Sequence, residues 1–185
     1  MPSVPVRHAK GVSFGGLAKL LRQQRVKRPF VCSQRAAELL ELNMLPTEWY
    51  LLSDLHELLA LMDREVLMGN EEAGIKLGTA GAIKALKTYH KGFLKPGDPE
   101  STLLAMQHAW PRYFDFGTLT VTRESPSTMH FVVGGYTDVP SYHGGTIIGW
   151  HLAAAISAGS SRASAEILER PWVKGFGNLI YRIRI

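Results

Sequence analysis

The sequence predicts an α+β fold: about five helices first, then helices packed on a small antiparallel sheet of about four strands. Three observations predict it. Apolar residues recur at helical spacing through the first 110 residues. From about residue 118 the pattern changes to strict alternation. The alternating segments group into two hairpins with one further helical stretch between them, which segregates helix from strand.

The elements follow in order. Residues 1–12, with Pro2, Pro5 and Gly11, read as an extended basic arm. Phe14, Leu17, Leu20 and Leu21 predict a helix over 13–26 capped by Ser13 and stopped by Pro29. A short helix after Ser33 carries Ala36, Ala37, Leu39, Leu40 and Leu42. Residues 45–50 read as a turn holding Trp49 and Tyr50. A helix over 53–68 is capped by Ser53 or Asp54, and Asp54 with Glu57 fits a capping box. Leu55, Leu58, Leu59, Met62 and Val66 form its apolar face. The next helix runs from Glu71 and Glu72 to about Phe93. Gly74, Gly78, Ala82, Ala85 and Tyr89 make a strip of small residues ending in a ring, so the backbone there can approach a neighbour. Residues 96–99 break the chain before a helix over about 100–110.

Strands are expected at 118–123 and 128–138, joined at Ser125-Pro126-Ser127. A helix over 146–158 follows the glycine-rich Tyr142–Gly145, with Ile148, Leu152, Ala155 and Ile156 on its apolar face. Strands at 162–169 and 179–185, turning at 175–178, complete the second hairpin. The 185 residues suit a single domain, 1–185.

The chain carries a formal charge of +5, unevenly placed. Residues 1–37 hold eight basic side chains and no acid. The lone Cys32 excludes an intramolecular disulfide and a cysteine-rich zinc site. Neither a secretory signal nor a membrane-length apolar run is visible, so the expected compartment is the cytoplasm.

Two stretches, GGTIIGWHLAAAISAG and SRASAEILERPWVKGFGNLIYRIRI, resemble the end of 4-vinyl-reductase-like domains. That resemblance implies a fold shared with haem nitric-oxide-binding domains and with small subunits of the TRAPP tethering complex. LPTEWYLLSDLHELLALMDREV and AWPRYFDFGTLTV resemble a myxobacterial protein family of similar length, which implies a bacterial protein. The likeness spans roughly residues 45–185. Vinyl-reductase-like domains commonly carry two cysteines in the last hairpin. Ala165 and the region of Leu179 stand there, so metal binding through those cysteines is not implied.

Complete catalytic motifs are missing. His56-Glu57 begins like a zincin helix, but position 60 is Ala rather than the second histidine. There is no G-x-S-x-G elbow and no phosphate-binding G-x-G-x-x-G. Glycine at 144 and 145 reads as a tight turn more readily than as an anion cradle. Cys32 reads as a small side chain, although the positive charge around it would favour a thiolate. Haem would need an axial imidazole, for which His90, His108 and His151 stand on predicted helices. The sensor family's Tyr-x-Ser-x-Arg signature is replaced by Thr120-Val121-Thr122-Arg123.

The four tryptophans, Trp49, Trp110, Trp150 and Trp172, are core anchors or walls of a site. The candidate cavity, between helices and sheet, is lined by Trp110, Tyr113, His130, Trp150 and His151. A basic patch of Lys19, Arg22, Arg25, Lys27 and Arg28 is a candidate docking face. The expected function is a non-catalytic regulatory or interaction module without a cofactor. It would bind a partner protein, a second copy, or a small apolar ligand. The alternative is a haem or small-molecule sensor, or an enzyme, using the helix–sheet cavity. Nucleic-acid binding through the basic N-terminus comes second among the alternatives, because that segment lacks interleaved aromatics.

Overall fold

A computed structural model describes residues 6–88 and 90–185. The expected Pro2 and Pro5 of the arm, and Tyr89 of the small-residue strip, lie outside the described residues. The architecture is α+β with a four-stranded antiparallel sheet, as expected. Contacts divide the chain into two compact units, Met1–Gly69 with Arg112–Phe116, and Asn70–Pro111 with Gly117–Ile185. No helix among the described residues is long and apolar enough to cross a membrane.

The first unit begins with β1 (His8–Lys10), where the sequence predicted only an arm. Its partner is β2 (Trp49–Leu51), inside the expected turn, paired antiparallel with Ala9 opposite Tyr50. These three-residue strands have no hydrophobic alternation long enough to read. Their pairing is made by distant chain: Ala9 also bridges Phe114, and the Asp115 carboxylate accepts from the His8 backbone N–H at 2.7 Å. Helix α1 (Val12–Lys27) starts from Gly11 without a side-chain cap, so Ser13 lies inside it. Helix α2 (Gln34–Glu41) is capped by Ser33, whose hydroxyl accepts from the Ala36 N–H at 2.9 Å.

Helix α3 (Leu52–Met62) starts before Ser53, and the expected Asp54–Glu57 capping box is not formed. Asp54 is instead buried beneath Arg35, whose guanidinium donates to both carboxylate oxygens at 2.8 and 2.6 Å. The Glu57 carboxylate accepts from the Ser33 hydroxyl. The helix then widens into a π-turn over Asp63–Leu67. A π-turn holds more residues than an α-turn, so the buried phase slips by one residue. Leu67 is therefore buried, and the predicted Val66 is 44% exposed.

The second unit opens with α4 (Glu71–Thr88), shorter than expected and followed by a 3-10 turn at Lys91–Phe93. Asp98 caps α5 (Pro99–Ala109), accepting from the Ser101 N–H at 2.9 Å. Strands β3 (Thr118–Ser125) and β4 (Thr128–Gly134) form the first hairpin; β4 ends four residues before the predicted 138. Helix α6 (Ser141–Ser157) begins five residues earlier than predicted. Strands β5 (Ser164–Glu169) and β6 (Leu179–Arg184) pair antiparallel, with a short helix α7 (Pro171–Lys174) in the connection. The strand order is β3-β4-β6-β5.

Packing explains the glycines of α6 and α4. Neighbouring groups leave no room for a side chain at several of them. A Cβ on Gly144 would overlap the Trp172 ring. One on Gly149 would overlap the Ile75 carbonyl oxygen, and one on Gly78 of α4 would overlap the Thr146 carbonyl oxygen. The small-residue strip of α4 thus meets α6 backbone to backbone. Thr79 ties the seam, its hydroxyl lying 3.1 Å from the Gly149 carbonyl oxygen.

Candidate ligand site

On the side of the sheet that packs α6, alternation places Met129, Phe131 and Val133 of β4 and Leu179, Tyr181 and Ile183 of β6, all fully buried. Phe131 and Tyr181 stack with ring centres 4.9 Å apart. His151 of α6 lies over them, its centre 5.2 Å from Phe131. Its Nδ1 stands 2.7 Å from the Tyr181 hydroxyl and 2.9 Å from the Ile147 carbonyl oxygen. Burial lowers the His151 pKa to about 4, against the upward pull of the Ile147 carbonyl. Burial also raises the Tyr181 phenol well above its ordinary value. Both rings are neutral, and the pair satisfies polar atoms in an apolar layer.

One end of the same helix repeats the device. His143 is buried, and its Nδ1 lies 2.7 Å from the hydroxyl of the buried Tyr136. The sequence shows this pair only as His143 in an apparent glycine turn. The signal that finds it is the i to i+8 spacing of His143 and His151 once α6 is known to begin at Ser141.

A third histidine meets a tryptophan. His90, just after α4, lies 5.5 Å from the Trp150 ring, edge to face, and 6.4 Å from Phe93. Burial alone lowers its pKa, so this half-buried imidazole is neutral at pH 7. It joins two aromatic rings at a partly solvated position.

Three of the five predicted cavity residues, His130, Trp150 and His151, do not share one face. Trp150 and His151 are consecutive on α6, so they project about 100° apart, one toward His90 and one onto the sheet. His130 alternates with Met129 and Phe131 and belongs to the opposite side of β4. Trp110 is buried in the 3-10 turn Trp110–Arg112. Tyr113 belongs to the first unit, where its carbonyl oxygen accepts from the Lys10 N–H at 2.9 Å. Burial raises its phenol to about 12, with Arg112 pulling the other way.

In the predicted basic patch, Lys19, Arg22, Arg25, Lys27 and Arg28 are all exposed. The Arg22 guanidinium nevertheless donates to the carbonyl oxygens of Leu40 and, at 3.2 Å, Leu42. Gly144 and Gly145 do not face an open anion site, since the Trp172 ring and the Gly74 backbone lie against them. Cys32 is half-buried. No group of three or more histidine, cysteine, aspartate or glutamate side chains among the described residues could hold a metal ion.

A haem requires an imidazole nitrogen facing an open apolar space. The α6 histidines do not fit that need. Each is bonded to a buried tyrosine, one side of the helix is closed against α4, and another lies on the sheet. His108 is exposed. Arg123 is 3.4 Å from the Glu100 carboxylate.

No family model and no curated protein matches the sequence. Solved structures do match. An oxygen-binding H-NOX domain related to soluble guanylate cyclases superposes with a TM-score of 0.61 at 14% identity, covering 95% of this chain and 94% of that one. An H-NOX variant from T. tengcongensis gives 0.64 at 14%, over 95% and 96%. An unliganded Fe(II) H-NOX variant from K. algicida gives 0.62 at 13%, over 95% of both. The 4-vinyl-reductase, TRAPP and myxobacterial likenesses rest on sequence pattern alone. What the superpositions establish is the fold: this chain has the haem-nitric-oxide-binding (H-NOX) fold, over nearly its whole length.

Proposed function

We infer that the chain is a non-catalytic small-molecule sensor module built on the H-NOX fold, with a ligand other than a haem ligated from α6. The observation that carries this reading is the half-buried, neutral imidazole of His90 set among Trp150 and Phe93. Two aromatic rings and one imidazole suit a compact apolar ligand with a single polar group. The glycine-closed seam between α4 and α6 gives that position a rigid support. The fold neighbours support the sensor class, and the bonded state of His143 and His151 argues against haem at those two positions.

The test is the purified protein's absorption spectrum, native mass spectrometry and a haemin titration. The expected result is no Soret band and no stoichiometric haemin uptake. A bound small molecule, or a thermal shift in a ligand screen, should be lost in Trp150→Ala. A Soret band that disappears in His151→Ala or His143→Ala would overturn the reading in favour of haem ligated from α6.

A further inference from the structure

The first unit presents a surface that its own fold leaves unused. The side chains of Lys19, Arg25, Lys27 and Arg28 have no hydrogen-bond or ion-pair partner among the described residues. Cations at the end of α1 complement the helix dipole, which explains Arg25 and Lys27 in part. It does not explain the apolar side chains among them. Val26 is 86% exposed and Val31 89% exposed. Leu20 and Leu42 are exposed as well, and Leu42 is drawn beside α1 by the Arg22 guanidinium.

Val31 is not presented by a loose chain. Its carbonyl oxygen accepts from Arg64 of the π-turn at 2.6 Å. The segment Lys27-Arg28-Pro29-Phe30-Val31 is thus an anchored loop with cations at its start and an apolar tip. A protein partner would need a complementary groove for valines projecting this far. A fluid anionic surface accepts them without shape matching, and attracts the unpaired cations.

We propose that the α1 C-terminus and the loop to α2 form a peripheral docking surface for an anionic lipid membrane, with Lys19, Arg25, Lys27 and Arg28 at the headgroups and Val26 and Val31 inserted at the acyl boundary. The occupant is a lipid surface with net negative charge, chosen by charge complementarity and by the exposed tips.

Co-sedimentation of the full chain with vesicles tests this. Phosphatidylcholine vesicles containing about one third phosphatidylglycerol should pellet the protein, and phosphatidylcholine alone should not. The double reversal Lys27→Glu/Arg28→Glu should lower the partition coefficient by about tenfold or more. Val26→Ser/Val31→Ser should lower it by about tenfold and remove the part of the binding that survives high salt. Arg162→Glu, an exposed cation of the second unit, should change it little. All three variants alter exposed side chains, and circular dichroism checks their folding.

Absence of pelleting would overturn the proposal. So would equal loss with Arg162→Glu, which would indicate net charge alone. Equally tight binding to heparin or DNA, with no effect of the valine substitutions, would overturn it in favour of a general polyanion or acidic-protein site.

Discussion

The Tyr181 hydroxyl, on the sheet, and His151 Nδ1, on α6, lie 2.7 Å apart in a layer where both residues are almost fully buried. Removing the hydroxyl leaves the Phe131 stack and the Ile147 contact of His151 in place. Tyr181→Phe should therefore destabilise the protein by only about 1 kcal/mol, the usual net value of one such bond. Chemical denaturation with an unchanged slope would establish it, and a loss several times larger would mean that the pair holds α6 to the sheet cooperatively.

His151 also sets a pH dependence. Its folded pKa is about 4, below the ordinary 6.5, because the buried ring resists protonation. Between these values the unfolded chain binds more protons than the folded one, so stability is full above about pH 6.5 and falls as the pH drops toward 4. The half-buried His90 is shifted in the same direction. The loss from His151 should reach the order of 3 kcal/mol at the acid end. Unfolding free energy measured across this range should show the slope, and His151→Gln should flatten it.

Two glycines of α4 should respond oppositely to the same substitution. Gly78→Ala drives a methyl into the Thr146 carbonyl oxygen, where backbone must move, and should cost about 3 kcal/mol or more. Gly81 has nothing within 4 Å of a built Cβ, so Gly81→Ala should stabilise the helix by about 0.5–1 kcal/mol. Thermal melts of the two variants, moving in opposite directions, would show that the seam and not helix propensity governs α4.

The π-turn makes a prediction that a regular helix would reverse. Leu67→Ala should lose about 2 kcal/mol, whereas Val66→Ala should stay within about 0.5 kcal/mol of the parent. Equilibrium unfolding of both variants decides it.

Much of the fold is legible in local pattern. Strand alternation at Leu119, Val121, Met129, Phe131 and Val133, and helical spacing at Leu55, Leu58, Leu59 and Met62, encode which faces are buried. Ser33 is readable as a cap, and Gly175 as a turn residue at φ 76°. The uneven charge marks the basic end of α1 through the composition of residues 1–37 alone.

What only the tertiary structure decided has a common cause: the deciding partner is remote in sequence. Asp54 stands where a helix cap is expected, yet Arg35 recruits it. Gly144 and Gly145 carry no periodicity, and only the folded chain shows that the Trp172 ring and the Gly74 backbone lie against them. Val66 fits the apolar stripe until the π-turn shifts the phase to Leu67. The same limit governed the site. Trp150 and His151 were legible as candidates, but alternation and helical rotation send His130, Trp150 and His151 to different surfaces, while His90 reaches Trp150 across 60 residues. By itself the sequence determined the fold class, the core-facing positions and the placement of charge, because these depend on the polarity of near neighbours. The glycine seam, the two tyrosine–histidine pairs and the anchored Val31 tip were decided by packing, because each needs a second group that only the folded chain brings within a few ångströms.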